Sequence, residues 1–163
     1  MYWSQMNEDL FGFGIDAWWL DGTEPETVEG PYTSPTVHRE LYEGYMHPTA
    51  MGSGSRMLNA FSLVNSQAVY EGQRAAAPDQ RVFILTRSSF PGQQRYASAS
   101  WSGDISTTWT SFKKQIPAGL GFSISGVPYW ATDTGGLAAD TATATSEPAI
   151  PSRTLSTSSC RMI

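Results

Sequence analysis

Between Ile15 and Trp130 the chain alternates short apolar runs with longer helix-forming stretches, and this alternation restricts its fold more than any other feature. The short runs are Ile15–Leu20, Arg81–Thr86 (RVFILT), Tyr96–Trp101 and Gly126–Trp130 (GVPYW). They are rich in apolar and aromatic residues and bounded by Pro, Gly or Ser, so each reads as a strand. Between them, Arg56–Ala77 carries Leu58, Phe61, Leu63, Val64, Val69 and Tyr70 among strong helix formers, and Pro78 stops it. Ser106–Phe122 predicts a second helix on Trp109, Phe112, Ile116 and Leu120, with Pro117 and Gly119 weakening its last turn. Residues 4–13 read as the end of a helix that stops at Gly12 and Gly14, while Pro25–Pro35 and Pro48–Gly54 read as loops. Strands separated by helices at this spacing predict βα units and a parallel sheet, an α/β fold.

Composition narrows the classes that such a fold can serve. The 163 residues suffice for one domain with a core. A formal charge of −5 and only ten scattered Lys and Arg exclude a nucleic-acid partner, because neutralising phosphates takes clustered cations. No apolar run approaches the ~20 residues of a membrane span, and MYWSQMNEDLFGFG lacks the basic and apolar regions of a signal peptide. The single Cys160 leaves no internal disulfide. His38 and His47 lie in loop sequence without metal-ligand spacing, so no metal or cofactor is expected. GSGS at 52–55 follows no strand, so it is not a phosphate loop. Ser88, Ser89 and Ser102 lack a nucleophile-elbow frame.

What remains is a set of carboxylates and arginines at strand ends. Asp21 follows Trp18, Trp19 and Leu20 directly, and Asp104 follows Trp101, Ser102 and Gly103. In an α/β barrel the carboxyl ends of the strands form the active-site face. Two acids there, framed by tryptophans, are the pair that glycosidic bond cleavage needs, a nucleophile and a proton donor. Each acid also has a plainer reading. Asp21 fits a cap on the loop after its strand, and Asp104 fits the N-cap of the helix that follows. Arg87, at the end of the next strand, is placed to supply a cation to Asp21. Arg87 and Arg95 fit either substrate contacts or structural ion pairs. Glu24 and Glu26 read as first-turn acids or solvated loop charges, and Asp16 as a structural hydrogen-bonding group within its strand.

Three blocks carry a wider likeness: GIDAWWLDGTEPE (14–26), ILTRSSFPGQQRYASASWSGDISTTW (84–109) and GLGFSISGVPYWATDTGG (119–136). In this order and spacing they resemble glycoside hydrolase family 31, most of all its α-xylosidase-like members. The resemblance implies a (β/α)8 TIM barrel, of which residues 1–136 would supply about four of the eight strands, the middle βα units. It implies hydrolysis of α-xylosides or α-glucosides with retention, through a covalent glycosyl-enzyme intermediate. By that likeness Asp21, on a W-x-D-x-x-E pattern, matches the nucleophile, and Asp104, in W-S-G-D, matches the acid/base. Arg87 matches the arginine that contacts the sugar, and Trp19, Trp101 and Asp133 match pocket residues. The expected partner is an oligosaccharide or small α-glycoside.

The chain also departs from the family. The family's β-sandwich, its early barrel strands, an early-strand aspartate and a late-strand histidine have no counterpart in these 163 residues. A segment of this kind is expected to be inactive by itself. A second reading is a non-catalytic carbohydrate-binding remnant using Trp18, Trp19, Trp101 and Trp130 as platforms, and a third is an inert product. Residues 137–163 contain no aromatic residue and are more than half Ala, Ser or Thr. That stretch is expected to be low-complexity, and a reading-frame shift near codon 136 would account for the abrupt change. Sequencing the encoding DNA past codon 136 checks this: another frame should continue the helix–strand pattern. The same tail encoded in frame within an intact, active enzyme would overturn it.

Overall fold

The computed structural model describes residues 2–24 and 48–133. The loop predicted at 25–35, both histidines and the tail at 137–163 lie outside the described residues. Helix α1 (Tyr2–Asp9) runs into a 3₁₀ turn at Phe11–Phe13. Gly14 ends that turn at φ +94, a left-handed conformation that glycine adopts without steric cost. Strand β1 (Ala17–Leu20) follows. A small antiparallel hairpin, β2 (Pro48–Thr49) and β3 (Gly52–Ser53), leads into the short helix α2 (Gly54–Met57) and a 3₁₀ turn at Leu58–Ala60. Helix α3 (Phe61–Ala76), strand β4 (Phe83–Thr86), a 3₁₀ turn at Gln93–Tyr96 and strand β5 (Ser98–Trp101) come next. Helix α4 (Trp109–Ile124) and strand β6 (Trp130–Ala131) complete the described chain.

The main sheet has the order β1-β4-β5-β6 and every pairing in it is parallel. The predicted α/β architecture is therefore the one observed, although several boundaries move. The loop expected at Pro48–Gly54 holds the β2–β3 hairpin. The single helix expected over Arg56–Ala77 is interrupted before Phe61. The strand expected from Tyr96 begins at Ser98, because Ala97 sits at φ +55 and turns the chain out of the 3₁₀ segment. The second helix starts at Trp109 rather than Ser106 and runs through Pro117, and the last strand shortens to two residues.

Strand alternation sorts the side chains onto two faces. Trp18, Leu20 and Ile84 point to one side, where they join Met6, Val69 and Val82 in the buried core under α1 and α3. Trp3 and Phe11 pack on the same core, with Trp3 edge-on to Trp18 at 5.8 Å. Trp19 and Phe83 point to the opposite side and are exposed. Helix α4 buries none of its residues, and Trp109, Phe112, Ile116, Leu120 and Ile124 form an apolar stripe along it. Open apolar surface on both the sheet and α4 is what a few βα units show when the remaining units are not around them.

The seat of α1 on α3 depends on one glycine. A Cβ on Gly72 would lie 2.1 Å from the Trp3 Cγ atom, overlapping the indole ring. Alanine gains about 0.5–1 kcal/mol of helix propensity over glycine, but overpacking a filled contact costs about 1–3 kcal/mol. The overlap wins. Gly72→Ala should lower the urea unfolding midpoint, and an unchanged or higher midpoint would show that Trp3 does not occupy this site.

Candidate active site

Asp21 is the first residue beyond β1 and Arg87 the first beyond β4. The Arg87 amide donates to the Leu20 carbonyl at 3.2 Å, which continues the parallel ladder one step past both strands. Asp21 and Arg87 are thus neighbours on the face that carries Trp19. The Arg87 guanidinium spreads over three acids: Nη1 to Asp21 Oδ1 at 3.2 Å, Nε to Glu24 Oε1 at 3.1 Å and Nη2 to Asp104 Oδ2 at 3.2 Å. The planar guanidinium presents five N–H donors in a fixed fork, and each of its three nitrogens meets one acid here. Asp21 Oδ1 also accepts the Gly22 amide at 2.8 Å, so the plainer loop-capping reading describes part of its role.

Gly103 admits the arginine. Its φ of +68 favours glycine, and a Cβ there would lie 2.8 Å from Arg87 Nε. The glycine before Asp104 is therefore needed both for the turn and for the close approach of the guanidinium. The N-cap role that Asp104 fits in sequence belongs to Thr108, whose Oγ1 accepts the Ser111 amide at 3.1 Å. Asp104 is left pointing at Arg87.

Trp19 and Trp101 meet edge to face with centroids 6.0 Å apart. Trp101 is 5% exposed and Trp19 is 70% exposed, so an indole face stands open beside Asp21. The other two suggested platforms are elsewhere. Trp18 is 4% exposed in the core and donates its Nε1–H to Gln73 Oε1 at 2.7 Å. Trp130 shares the register of Ser100, on the core side of the sheet, and stacks on Phe122 at 4.3 Å. Arg95 is also apart from the acids, its Nε–H donating to the Gly92 carbonyl and its guanidinium lying over Tyr96. Asp16 is exposed and precedes the strand in which it was expected.

Glu24 is the site residue that sequence reasoning left undecided. It is the last position of the W-x-D-x-x-E pattern, so the signal was present, but only the β1–β4 pairing separates it from a solvated loop acid. Among the described residues no group of His, Cys, Asp and Glu is arranged to hold a metal ion.

Charge is concentrated here. Burial would by itself lower the Arg87 value, but the hydrogen bond to Asp21 and the charges of Glu24 and Asp104 outweigh it and hold the guanidinium above its ordinary range. Asp133 is pushed above the ordinary carboxylate value, first by burial and then by the negative charge of Asp104, with Arg87 opposing. An acid whose folded value is raised binds more protons folded than unfolded. Its stabilising contribution is complete below the unfolded value of about 3.9 and is lost as pH rises through the folded value. Asp133→Asn should therefore stabilise the protein at neutral pH, with the gain shrinking toward pH 4. Urea midpoints at both pH values check this, and a gain that grows on acidification would contradict it.

A parallel sheet flanked by helices, with its charged groups collected at the strand carboxyl ends, is a segment of a βα barrel. The chain belongs to family 31 of the glycosyl hydrolases, with residues 1–155 matching the TIM-barrel domain of that family. It is 48% identical over 137 residues to an α-xylosidase of Saccharolobus solfataricus, an alignment covering 84% of this chain and 18% of the relative. The crystal structure of a family 31 α-xylosidase from Xanthomonas citri superposes with a TM-score of 0.75 at 39% identity, over 86% of this chain and 14% of that one. A soil-metagenome α-xylosidase complexed with xylose superposes at 0.71 with 31% identity, over 84% of this chain and 18% of that one. The chain thus spans less than a fifth of the length of these relatives.

Proposed function

We propose that these residues are the part of a retaining α-glycosidase that carries both catalytic carboxylates, acting on terminal α-xylosides in preference to α-glucosides. The observation that carries this reading is the Arg87 guanidinium bridging Asp21 and Asp104 beyond the ends of β1 and β5. Retaining enzymes hold their two carboxyl groups ~5–5.5 Å apart, and a shared guanidinium keeps Asp21 and Asp104 near one another. The likeness to α-xylosidases, one of them complexed with xylose, supports the substrate class.

In this reading Asp21 attacks the anomeric carbon while Asp104 protonates the departing glycosidic oxygen, leaving the sugar esterified to Asp21. Asp104 then takes a proton from water, which attacks the same carbon, frees Asp21 and restores the original configuration. Arg87 orients both acids and offers N–H donors to a sugar hydroxyl between them. Trp19 and Trp101 form an aromatic wall for the ring, and Asp133 supports the pocket near Asp104.

The test uses the full-length hydrolase containing these residues, because the 163 residues alone are expected to show no measurable turnover. On an α-xyloside, the first sugar seen by NMR should be the α anomer. Asp104→Ala should lower kcat on an alkyl xyloside by about 10²–10⁴-fold, the usual contribution of general acid–base catalysis. The loss should be far smaller on an aryl xyloside whose phenolate leaves without a proton. Asp21→Asn should abolish turnover of both. Release of the β anomer first, or an active Asp21→Asn enzyme, would refute the assignment.

A further inference from the structure

Beneath the acids, on the core side of the sheet, runs a chain of buried polar groups that the proposed chemistry does not use. At its centre is Gln93, which is 1% exposed. Its Oε1 accepts from Ser62 Oγ and from the Phe90 amide, each at 2.9 Å. Its Nε2 donates to Ser66 Oγ at 3.3 Å and to the Ser88 carbonyl at 3.2 Å. Two accepted and two donated bonds exhaust the capacity of a glutamine amide. The Phe90 amide can only donate and the Ser88 carbonyl can only accept, so the orientation of the amide is fixed by its partners. Ser62 and Ser66 are buried positions one turn apart on α3, which anchors the other end.

From Ser88 the chain reaches the acids. The Ser88 amide donates to Thr23 Oγ1 at 3.2 Å, and Ser88 Oγ donates to the Thr23 carbonyl at 3.0 Å. Thr23 Oγ1 shares a 2.7 Å hydrogen bond with Thr86 Oγ1, and Ser100 Oγ donates to the Thr86 carbonyl at 3.0 Å. Arg87 is therefore flanked on both sides by pinned residues. Thr23, which does the pinning, lies between Asp21 and Glu24, two of the acids that Arg87 holds.

We propose that Gln93 is a positioning residue for Arg87: by fixing the Ser88 carbonyl and the Phe90 amide against α3, it sets the backbone from which the guanidinium spans the acids. A buried amide brings little net stability over a well-packed apolar side chain. What it adds is direction, since each of its four bonds specifies one donor or acceptor. The effect on turnover rests on the α-glycosidase reading, while the effect on the Arg87 contacts does not.

Two readouts in the full-length hydrolase separate these. The first is the NMR signal of the Arg87 Nε–H, which the Glu24 contact should shift and protect from solvent exchange. Gln93→Leu should return it to the position and exchange rate of a free arginine. Gln73→Leu is the control: Gln73 is equally buried and bonds Trp18 and the Arg81 carbonyl, away from Arg87. It should lower Tm comparably yet leave that signal in place. The second is kcat, which Gln93→Leu should reduce by about tenfold to 10²-fold, as expected for a small misplacement of a positioned group. The same substitution in an Arg87→Ala background should add no further loss. An Arg87 signal that survives Gln93→Leu, or is lost equally in Gln73→Leu, overturns the inference whether or not the enzyme turns over. So does a kcat loss that is additive with Arg87→Ala. If the leucine variant does not fold, the isosteric Gln93→Glu removes the Nε2 donors and serves the same comparisons. An absence of α-glycoside turnover with the expected NMR result would fault the function alone.

Discussion

One guanidinium gathers three carboxylates at the carboxyl ends of the sheet, and the placement of the other site residues depends on it. Asp21 and Glu24 follow β1 while Asp104 follows β5, far along the sequence, and Arg87 touches all three. The pairs are partly exposed, and exposed pairs of this kind contribute only about 0–1 kcal/mol each. Three acids around one cation, with Asp133 close by, leave the cluster negative overall. Stability does not explain such a concentration of like charge. The proposed catalytic pair does, since it needs two carboxyl groups held close together, and Arg87 contacts both.

The sheet divides these demands between its faces. The side toward α1 and α3 carries the apolar core, with Trp18, Leu20 and Ile84 meeting Met6 and Val69. Above that core, near the strand ends, apolar contacts give way to Gln93, Ser88, Thr23 and Thr86, where direction matters more than volume. The opposite side carries Trp19, the acids and Arg87. A single alternation of side chains along β1 therefore puts Trp18 in the core and leaves Trp19 exposed on the face with Arg87. Gly103 and Gly72 show the same economy at the level of backbone: each lacks a side chain where a guanidinium or an indole must pass.

Much of this was legible from the residues. The alternation of apolar runs and helical stretches predicted the parallel sheet, and the acids at run ends predicted the clustering of Asp21, Arg87 and Asp104. The rest depended on contacts distant in sequence. Nothing local separates Trp18 from Trp19, since either alternation of β1 buries one indole, and the helices packed on the sheet decide which. In sequence Glu24 reads no differently from Glu26, and only the contact with Arg87, from the segment after β4, separates a solvated acid from one in the cluster. Ala97 gives no signal of its left-handed backbone, so β5 was expected to start too early. Gln93 carries no local signal of its role, because its four partners come from both α3 and the loop itself.

The central claim is that Asp21 becomes covalently bonded to the sugar during turnover. The most direct measurement is to treat the full-length hydrolase with a fluorinated α-xyloside that slows the second step, then locate the added mass by peptide mass spectrometry. The account predicts one sugar residue on the peptide containing Asp21, lost again as activity returns. A label on Asp104, or full inactivation with Asp21 unmodified, would contradict it.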